Sequence, residues 1–259
     1  MSIILGNCHK DIINNFEKCS SKRNIIDNIS KVLHECGIDT LKINTNLDET
    51  IWIRDIYFII DDQCFICNLT NLCTMNTNRY IEKKDLIQLL DKKYKKINYI
   101  PRYVDIEGGD IIQSNNDIFV GIGARTNFNS IIFLKTKFPH KRIIPIYHSS
   151  LHLDCVFTVL NNNQILFHSE YVESFTIDNY EKLDIKDYVN SDNPIPCNFF
   201  IYQDNIVCSD MIKNEKLLDL LKILNYRVFT INIGNLWKEG GGIRCLTQWY
   251  TTIRKQNIY

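Results

Sequence analysis

No apolar run in this chain approaches the length that would span a bilayer, because a charged or amide residue interrupts every hydrophobic stretch. No basic residue precedes the short apolar run of MSIILGNCHKDIINNFEKC, which meets His9, Lys10 and Asp11 almost at once, so this segment reads as a first strand and not as a signal peptide. Net charge is missing too. The 30 Lys and Arg residues balance 30 Asp and Glu, and nothing draws the protein towards nucleic acid or an anionic membrane surface. The expectation is a soluble, cytoplasmic protein that acts on a small molecule.

A linker rich in Pro, Gly or Ser is also absent, and Asn and Ile are spread over the whole length, which predicts one domain over residues 1–259. A chain of 259 residues can bury a sizeable core without a metal or disulfide staple. With no secretory signal, its ten cysteines read as reduced thiols. Cys64 and Cys67 form a CxxC in QCFICNL with Cys73 nearby. The neighbours are apolar, a strand would turn the two thiols to opposite faces, and no second CxxC completes a tetrahedral site, so core packing is preferred to zinc. GIGAR lacks the third glycine of a phosphate-cradling loop, and no organic cofactor and no metal are expected.

Short runs rich in Ile, Val and Phe alternate with helix-period stretches such as EKKDLIQLLDKKYKK and NEKLLDLLKIL, the pattern of an α/β fold. DIYFIIDDQCFICNL, GGDIIQSNNDIFVGIG, LDCVFTVLNNNQILFHS and CNFFIYQDNIVCSDM each read as strand, polar turn, strand. The first, second and fourth lead through a helical stretch to a short run near INYIP, RIIPI or VFTINI; the third is longer and more polar. A last unit starts at EGGGIRCLTQWYTTI and ends after two strands, while the first fifty residues supply strand, helix and strand with no hairpin before them. Five units, the fifth shared between the termini, predict a closed radial array around one central cavity.

Polar groups gather at the starts of these units: Trp52, Arg54 and Asp55 in IWIRDIYF, Glu107 and Asp110 in IEGGDII, His152 and Asp154 in LHLDCVF, and Cys245 in EGGGIRCLTQ. Equivalent ends of repeated units point at one centre, so a thiol, a His–x–Asp pair and further acids would meet there. Gly108, Gly109 and Gly240 to Gly242 permit close backbone approach. A thiol attacks as thiolate, which a histidine or a cationic substrate would favour. Carboxylates match a guanidinium in bidentate fashion, making Asp55, Glu107 and Asp154 its natural partners, with Asp110 grouped among the substrate contacts. Arg125 in GIGARTNFN, and Arg79 in NTNRYIEK, could fix a substrate carboxylate. Taken singly, Cys245 could be a buried small hydrophobe, His152 a structural histidine, EGGD a plain turn and RD a surface ion pair.

Taken together, RD, EGGD, GxxxRTN, HLD and GGGxRC, in this order from about Trp52 to Gln248, resemble the guanidino-group-modifying superfamily. It includes arginine deiminase, dimethylarginine dimethylaminohydrolase, agmatine deiminase and the arginine amidinotransferases. The resemblance implies a five-bladed α/β propeller (pentein), with Cys245 as nucleophile, His152 as general acid/base and Glu107 as a guanidinium-binding carboxylate assisting proton transfer. Asp55 and Asp154 would be further guanidinium ligands and Arg125 the carboxylate ligand; Arg79 sits where a second such arginine can occur. The short length looks like the dimethylarginine hydrolases, whereas His–x–Asp and GGGIRC look like arginine deiminase or the amidinotransferases, with the trailing TQ of agmatine deiminase. An aspartate two residues after the histidine needs N–H donors, which favours free arginine over dimethylarginine, and RTN argues against agmatine. The expected reaction is hydrolysis of arginine to citrulline and ammonia, or on to ornithine. The alternatives are amidino transfer, dimethylarginine hydrolysis, a cysteine peptidase, or an arginine-binding propeller without turnover; a homodimer stands open beside a monomer.

Overall fold

The computed structural model describes residues 2–8, 16–45, 52–68, 86–94, 97–160, 163–190, 193–210 and 215–250. The described strands form five separate three-stranded sheets. In chain order they are β3 (Tyr57–Ile60), β4 (Gln63–Ile66) and β5 (Ile97–Tyr99); β6 (Ile111–Ser114), β7 (Asp117–Ile122) and β8 (Arg142–Tyr147); β9 (Phe157–Leu160), β10 (Gln164–Phe167) and β11 (Glu181–Asp184); and β12 (Phe200–Tyr202), β13 (Asn205–Ser209) and β14 (Arg227–Ile231). The fifth joins the two ends of the chain. Its middle strand β1 (Ser2–Cys8) pairs antiparallel with β15 (Thr247–Trp249) and parallel with β2 (Asp39–Thr45). Each of the other four repeats that pattern, the middle strand antiparallel to the first and parallel to the third. This mixed α/β arrangement of five small sheets fits a propeller. Among the described residues the closing segment contributes one strand, β15, where the sequence led us to expect two.

The polar turns have a local cause. Asp61 and Asp62, Asn115, Asn163 and Gln203 lie at positive φ between the first and second strands of their sheets, mostly Asn and Asp, whose short side chains tolerate the left-handed region. Parallel pairing then demands a crossover. Helix α1 (Phe16–Glu35) links β1 to β2, residues 86–91 (α3) precede β5, α4 (Asn129–Lys137) links β7 to β8, and α5 (Glu215–Ile223) lies between β13 and β14. Their apolar residues fall at helical spacing and are buried: Ile25, Ile26, Ile29 and Leu33 against Ile3 and Leu5, Leu86 and Leu90 beside Ile59 and Cys64, Ile131 and Leu134 near Phe58 and Phe65, Leu217 and Leu221 against Ile206 and Cys208. Between β10 and β11 no helix forms; Tyr171, Val172 and Phe175 of that longer polar segment pack on Phe157 and Ile165 instead.

Cys64 and Cys67 separate into different apolar clusters, as alternation along a strand requires, and burial pushes the Cys64 thiol up to about 12. Cys73 lies outside the described residues. Among these residues no helix is long and apolar enough to cross a membrane.

The entries to the sheets are set by close backbone approach. A Cβ on Gly108 would stand 2.1 Å from the Arg54 carbonyl oxygen and 2.7 Å from that of Tyr57, so neither neighbour is a flexible side chain that could yield. Gly108→Ala is therefore expected to destabilise the protein by about 1–3 kcal/mol or more, read as a lower denaturant midpoint at unchanged slope.

Candidate active site

Every unit opens with a short irregular segment that carries polar side chains inward. The four-residue turn of helix Ile53–Ile56 (α2) buries Arg54 and Asp55 ahead of β3. A 3-10 turn at Gly108–Asp110, with Glu107 extended before it, precedes β6. Another at Leu153–Cys155, with His152 before it, precedes β9. Asn198 stands ahead of β12, and Cys245 follows the glycine turn ahead of β15. All are nearly sealed from solvent: Cys245 is 3% exposed, His152 2%, Glu107 0% and Asn198 1%.

Arg54 holds the centre. Its Nε donates to Asp154 Oδ2 at 3.1 Å, one Nη to Gln248 Oε1 at 3.1 Å and the other to the Ile111 carbonyl. The Gln248 amide returns a bond to the Tyr57 carbonyl at 2.6 Å, and the Arg54 backbone N–H donates to the Cys245 carbonyl at 3.2 Å. Strands β6 and β15 and the segments before β3 and β9 are thereby tied to one guanidinium.

His152 lies between two acids. Its Nε2 is 2.7 Å from Glu107 Oε2 and its Nδ1 3.6 Å from Asp55 Oδ1. Burial opposes a charge on the ring, but the carboxylates of Asp55 and Glu107, with Asp110 farther off, outweigh it and raise the His152 pKa well above its ordinary value. Arg125 Nη1, at the more open side, is 3.5 Å from Glu107 Oε1. A Cβ on Gly109 would stand 2.7 Å from the His152 ring, so glycine is what lets the EGGD turn lie against the imidazole.

Asp110 is wholly buried and already engaged. Oδ1 accepts from the Leu153 N–H at 2.8 Å and lies 3.1 Å from His148 Nε2, while Oδ2 accepts from Thr126 at 2.6 Å. Burial would raise its pKa, but the His148 hydrogen bond and the His152 charge prevail and lower it. Around the thiol, the Asn198 amide donates to Cys245 Sγ at 3.2 Å and reaches Asp154 Oδ1 at 3.5 Å, while Asn198 Oδ1 accepts from the Arg244 N–H at 2.8 Å. Trp52 covers the glycine turn, leaving a Gly241 Cβ only 2.0 Å from its ring.

The structure thus brings Cys245, His152, Glu107, Asp55, Asp154, Asp110 and Arg125 into one neighbourhood, while Arg79 lies outside the described residues. Sequence reasoning passed over Asn198, Thr126 and His148, and Gln248 drew notice only as part of TQ. The one available signal was the repeat: Asn198 stands two residues before β12, as Asp55 and Cys245 do before β3 and β15. Two sets of donor atoms, Asp55–Glu107–His152 and Asp154–Cys155–Cys245, each lie within 4.8 Å of one another, the span of a metal site. In both the donors are already bonded to protein groups.

A family model for arginine deiminase matches residues 77–199, a span that holds Glu107, Asp110, Arg125, His152 and Asp154. Among solved structures, dimethylarginine dimethylaminohydrolase (DDAH) from Pseudomonas aeruginosa, a mutant complexed with citrulline, superposes with a TM-score of 0.79 at 15% identity, covering 95% of this chain and 98% of that one. A variant N-terminal domain of ArgZ covalently bound to a reaction intermediate gives 0.79 at 15% identity, over 96% of this chain and 97% of that. SxtG, an amidinotransferase from Microseira wollei, gives 0.78 at 14% identity, over 99% and 94%. The chain therefore shares the fold of these guanidino-group-modifying enzymes, and its residues 77–199 match the arginine deiminase model. Over nearly its whole length it is also similar to the uncharacterized protein YkgA of Bacillus subtilis (strain 168), 25% identical over 254 residues, 92% of this chain and 86% of that one.

Arg54 offers a direct test of the network. Arg54→Met would leave the Asp154 carboxylate buried without its cation, an expected cost of about 3–5 kcal/mol in unfolding free energy. The double variant Arg54→Met with Asp154→Leu should recover much of that loss, since it removes both charges together; equal loss in single and double variants would show that the ion pair is not the cause.

Proposed function

We propose that residues 1–259 act as one catalytic domain, a five-bladed propeller whose blades are the five sheets, and that it hydrolyses the guanidino group of a free amino acid, arginine above all. The supporting observation is the buried convergence of one thiol, one histidine between carboxylates, and an aspartate with an oxygen within 4.8 Å of the same thiol. Cys245, His152 and Glu107 carry the chemistry; Asp55 and Asp154 receive the guanidinium N–H groups, and Arg125 the substrate carboxylate. Arg79 is reserved as a second carboxylate ligand. Asp110, expected as a substrate contact, has three donors within 3.1 Å on its two oxygens, against one on Asp154, and serves instead to hold the His152 turn through the Leu153 N–H.

The positive charge of a bound guanidinium favours the Cys245 thiolate, whose sulfur attacks the planar carbon. His152 delivers its proton to the departing nitrogen, and ammonia leaves an amidino thioether on Cys245. The now neutral imidazole takes a proton from water, the hydroxide adds to the same carbon, and the C–S bond breaks to release citrulline. A second hydrolysis of the ureido product would give ornithine. Amidino transfer differs in both halves: the chain-bearing nitrogen takes the His152 proton and leaves as the amine of ornithine, and a second amine in place of water then takes the amidino group from Cys245. The likeness to SxtG keeps it as the second reading. Hydrolysis of dimethylarginine is less well served, because methyl groups would remove the donors that Asp154 accepts.

Incubation with arginine, dimethylarginine and agmatine separately, with products identified by mass spectrometry, should yield citrulline or ornithine from arginine alone and nothing with Cys245→Ser. Product only when an amine acceptor is supplied would instead establish transfer. Because the carboxylates raise His152, the acid form persists through neutral pH and its loss should set the alkaline decline of kcat/KM. The same interaction stabilises the fold fully below the unfolded histidine value of about 6.5 and is lost as pH rises through the raised folded value. Asp55→Asn or Glu107→Gln should move the alkaline limb to lower pH; an unmoved limb would assign it to another group.

A further inference from the structure

We propose that Cys155 and Cys245 form a thiol pair that a hydroperoxide closes into a disulfide, a reversible modification site beneath the substrate position. Cys155 is fully buried on the 3-10 turn that follows His152, and its sulfur lies within 4.8 Å of the Cys245 sulfur. The Asn198 amide spans the two, 3.2 Å from Cys245 Sγ and 3.9 Å from Cys155 Sγ. Closure brings the two sulfurs from within 4.8 Å to the bond length of about 2.05 Å. Both thiols are free.

The other buried thiols among the described residues sit differently. Cys64, Cys67, Cys197 and Cys208 are lodged in apolar clusters, whereas Cys155 also meets Asp154 and the Asn198 amide. The contact with Cys245 and burial raise the Cys155 pKa well above the ordinary thiol value, so Cys155 keeps its proton. Hydroperoxide transfers its hydroxyl oxygen, with the hydrogen, to the Cys245 thiolate; the O–O bond breaks, the other oxygen leaves as hydroxide or alkoxide and takes from solvent the proton that the Cys245 thiol gave up, and a sulfenic acid remains. The Cys155 sulfur then attacks the sulfenic sulfur; the S–O bond breaks, and the hydroxyl leaves as water with the Cys155 proton. Two thiols are oxidised and one peroxide is reduced. The pair thereby shields Cys245 from the irreversible sulfinic and sulfonic steps. That closure silences the enzyme rests on the reading of Cys245 as nucleophile; closure itself does not.

The test treats the full chain with hydrogen peroxide, maps peptides without reduction, and follows arginine turnover before and after dithiothreitol. The expected result is a Cys155–Cys245 linked peptide lacking two hydrogens, with activity lost and then restored by dithiothreitol. In Cys155→Ser, and in Cys155→Ala should the serine perturb folding, Cys245 should gain two oxygens, and activity relative to each variant's own untreated sample should not return. Sulfinic Cys245 as the wild-type product, or linkage of Cys245 to any cysteine other than Cys155, would overturn the pair. A linked peptide that left turnover intact would uphold the pair and sink the nucleophile reading instead.

Discussion

A buried guanidinium constrains this structure more than any other group. Arg54 is 4% exposed and bonds to groups that enter three other sheets, at Asp154, Gln248 and Ile111. A cation in such a place gains little net stability over an apolar replacement, since its desolvation offsets most of the Coulomb attraction. What it supplies is position. The fork of N–H donors has fixed angles, so the Asp154 carboxylate, the Gln248 amide and the first residue of β6 must take up one relative arrangement. The sheets are packed through apolar contacts that tolerate small slips, whereas a bidentate-capable fork does not.

Around that cation the acids are arranged with their lone pairs assigned. Asp110 is consumed by Thr126, His148 and the Leu153 N–H, and so fixes the backbone beside His152. Asp154 gives one oxygen to Arg54 and the other to Asn198, which itself reaches the thiol. Glu107 divides its oxygens between His152 and Arg125. Each reactive side chain is held by at least one partner whose own geometry is fixed, the arrangement that lowers reorganisation during a charged reaction.

The repeat was legible in the sequence because strand alternation, turn residues and helical spacing are local signals. DIYFIIDDQCFICNL declares its hairpin through Asp61 and Asp62, and the shared fifth sheet followed from a last unit that runs out of chain. The partners of the site were harder. Arg54 could be taken for half of a surface ion pair, because its true partners Asp154 and Gln248 are 100 and 194 residues away. Asn198 sits in CNFF, where apolar neighbours conceal it, and only its register within the repeat singles it out. His148 closes RIIPIYH as if ending a strand, and nothing local ties it to Asp110. Pairings made by sheet closure leave no trace at short range; residue type and repeat position are all that the chain displays.

On the proposed reading, the electrostatics of the resting site also bear on when the acid acts. Asp55 and Glu107 raise the His152 pKa while the site lacks a cationic substrate, so the imidazole carries its proton at neutral pH. A guanidinium entering the site takes up Asp55 and adds a like charge beside the ring. Both changes reduce the hold of His152 on its proton. The proton is thus tightly kept until substrate arrives and becomes easier to transfer once the carbon is within reach of Cys245. Asp55 belongs both to the carboxylates that recognise the substrate and to those that charge the acid, and binding converts its one role into the other.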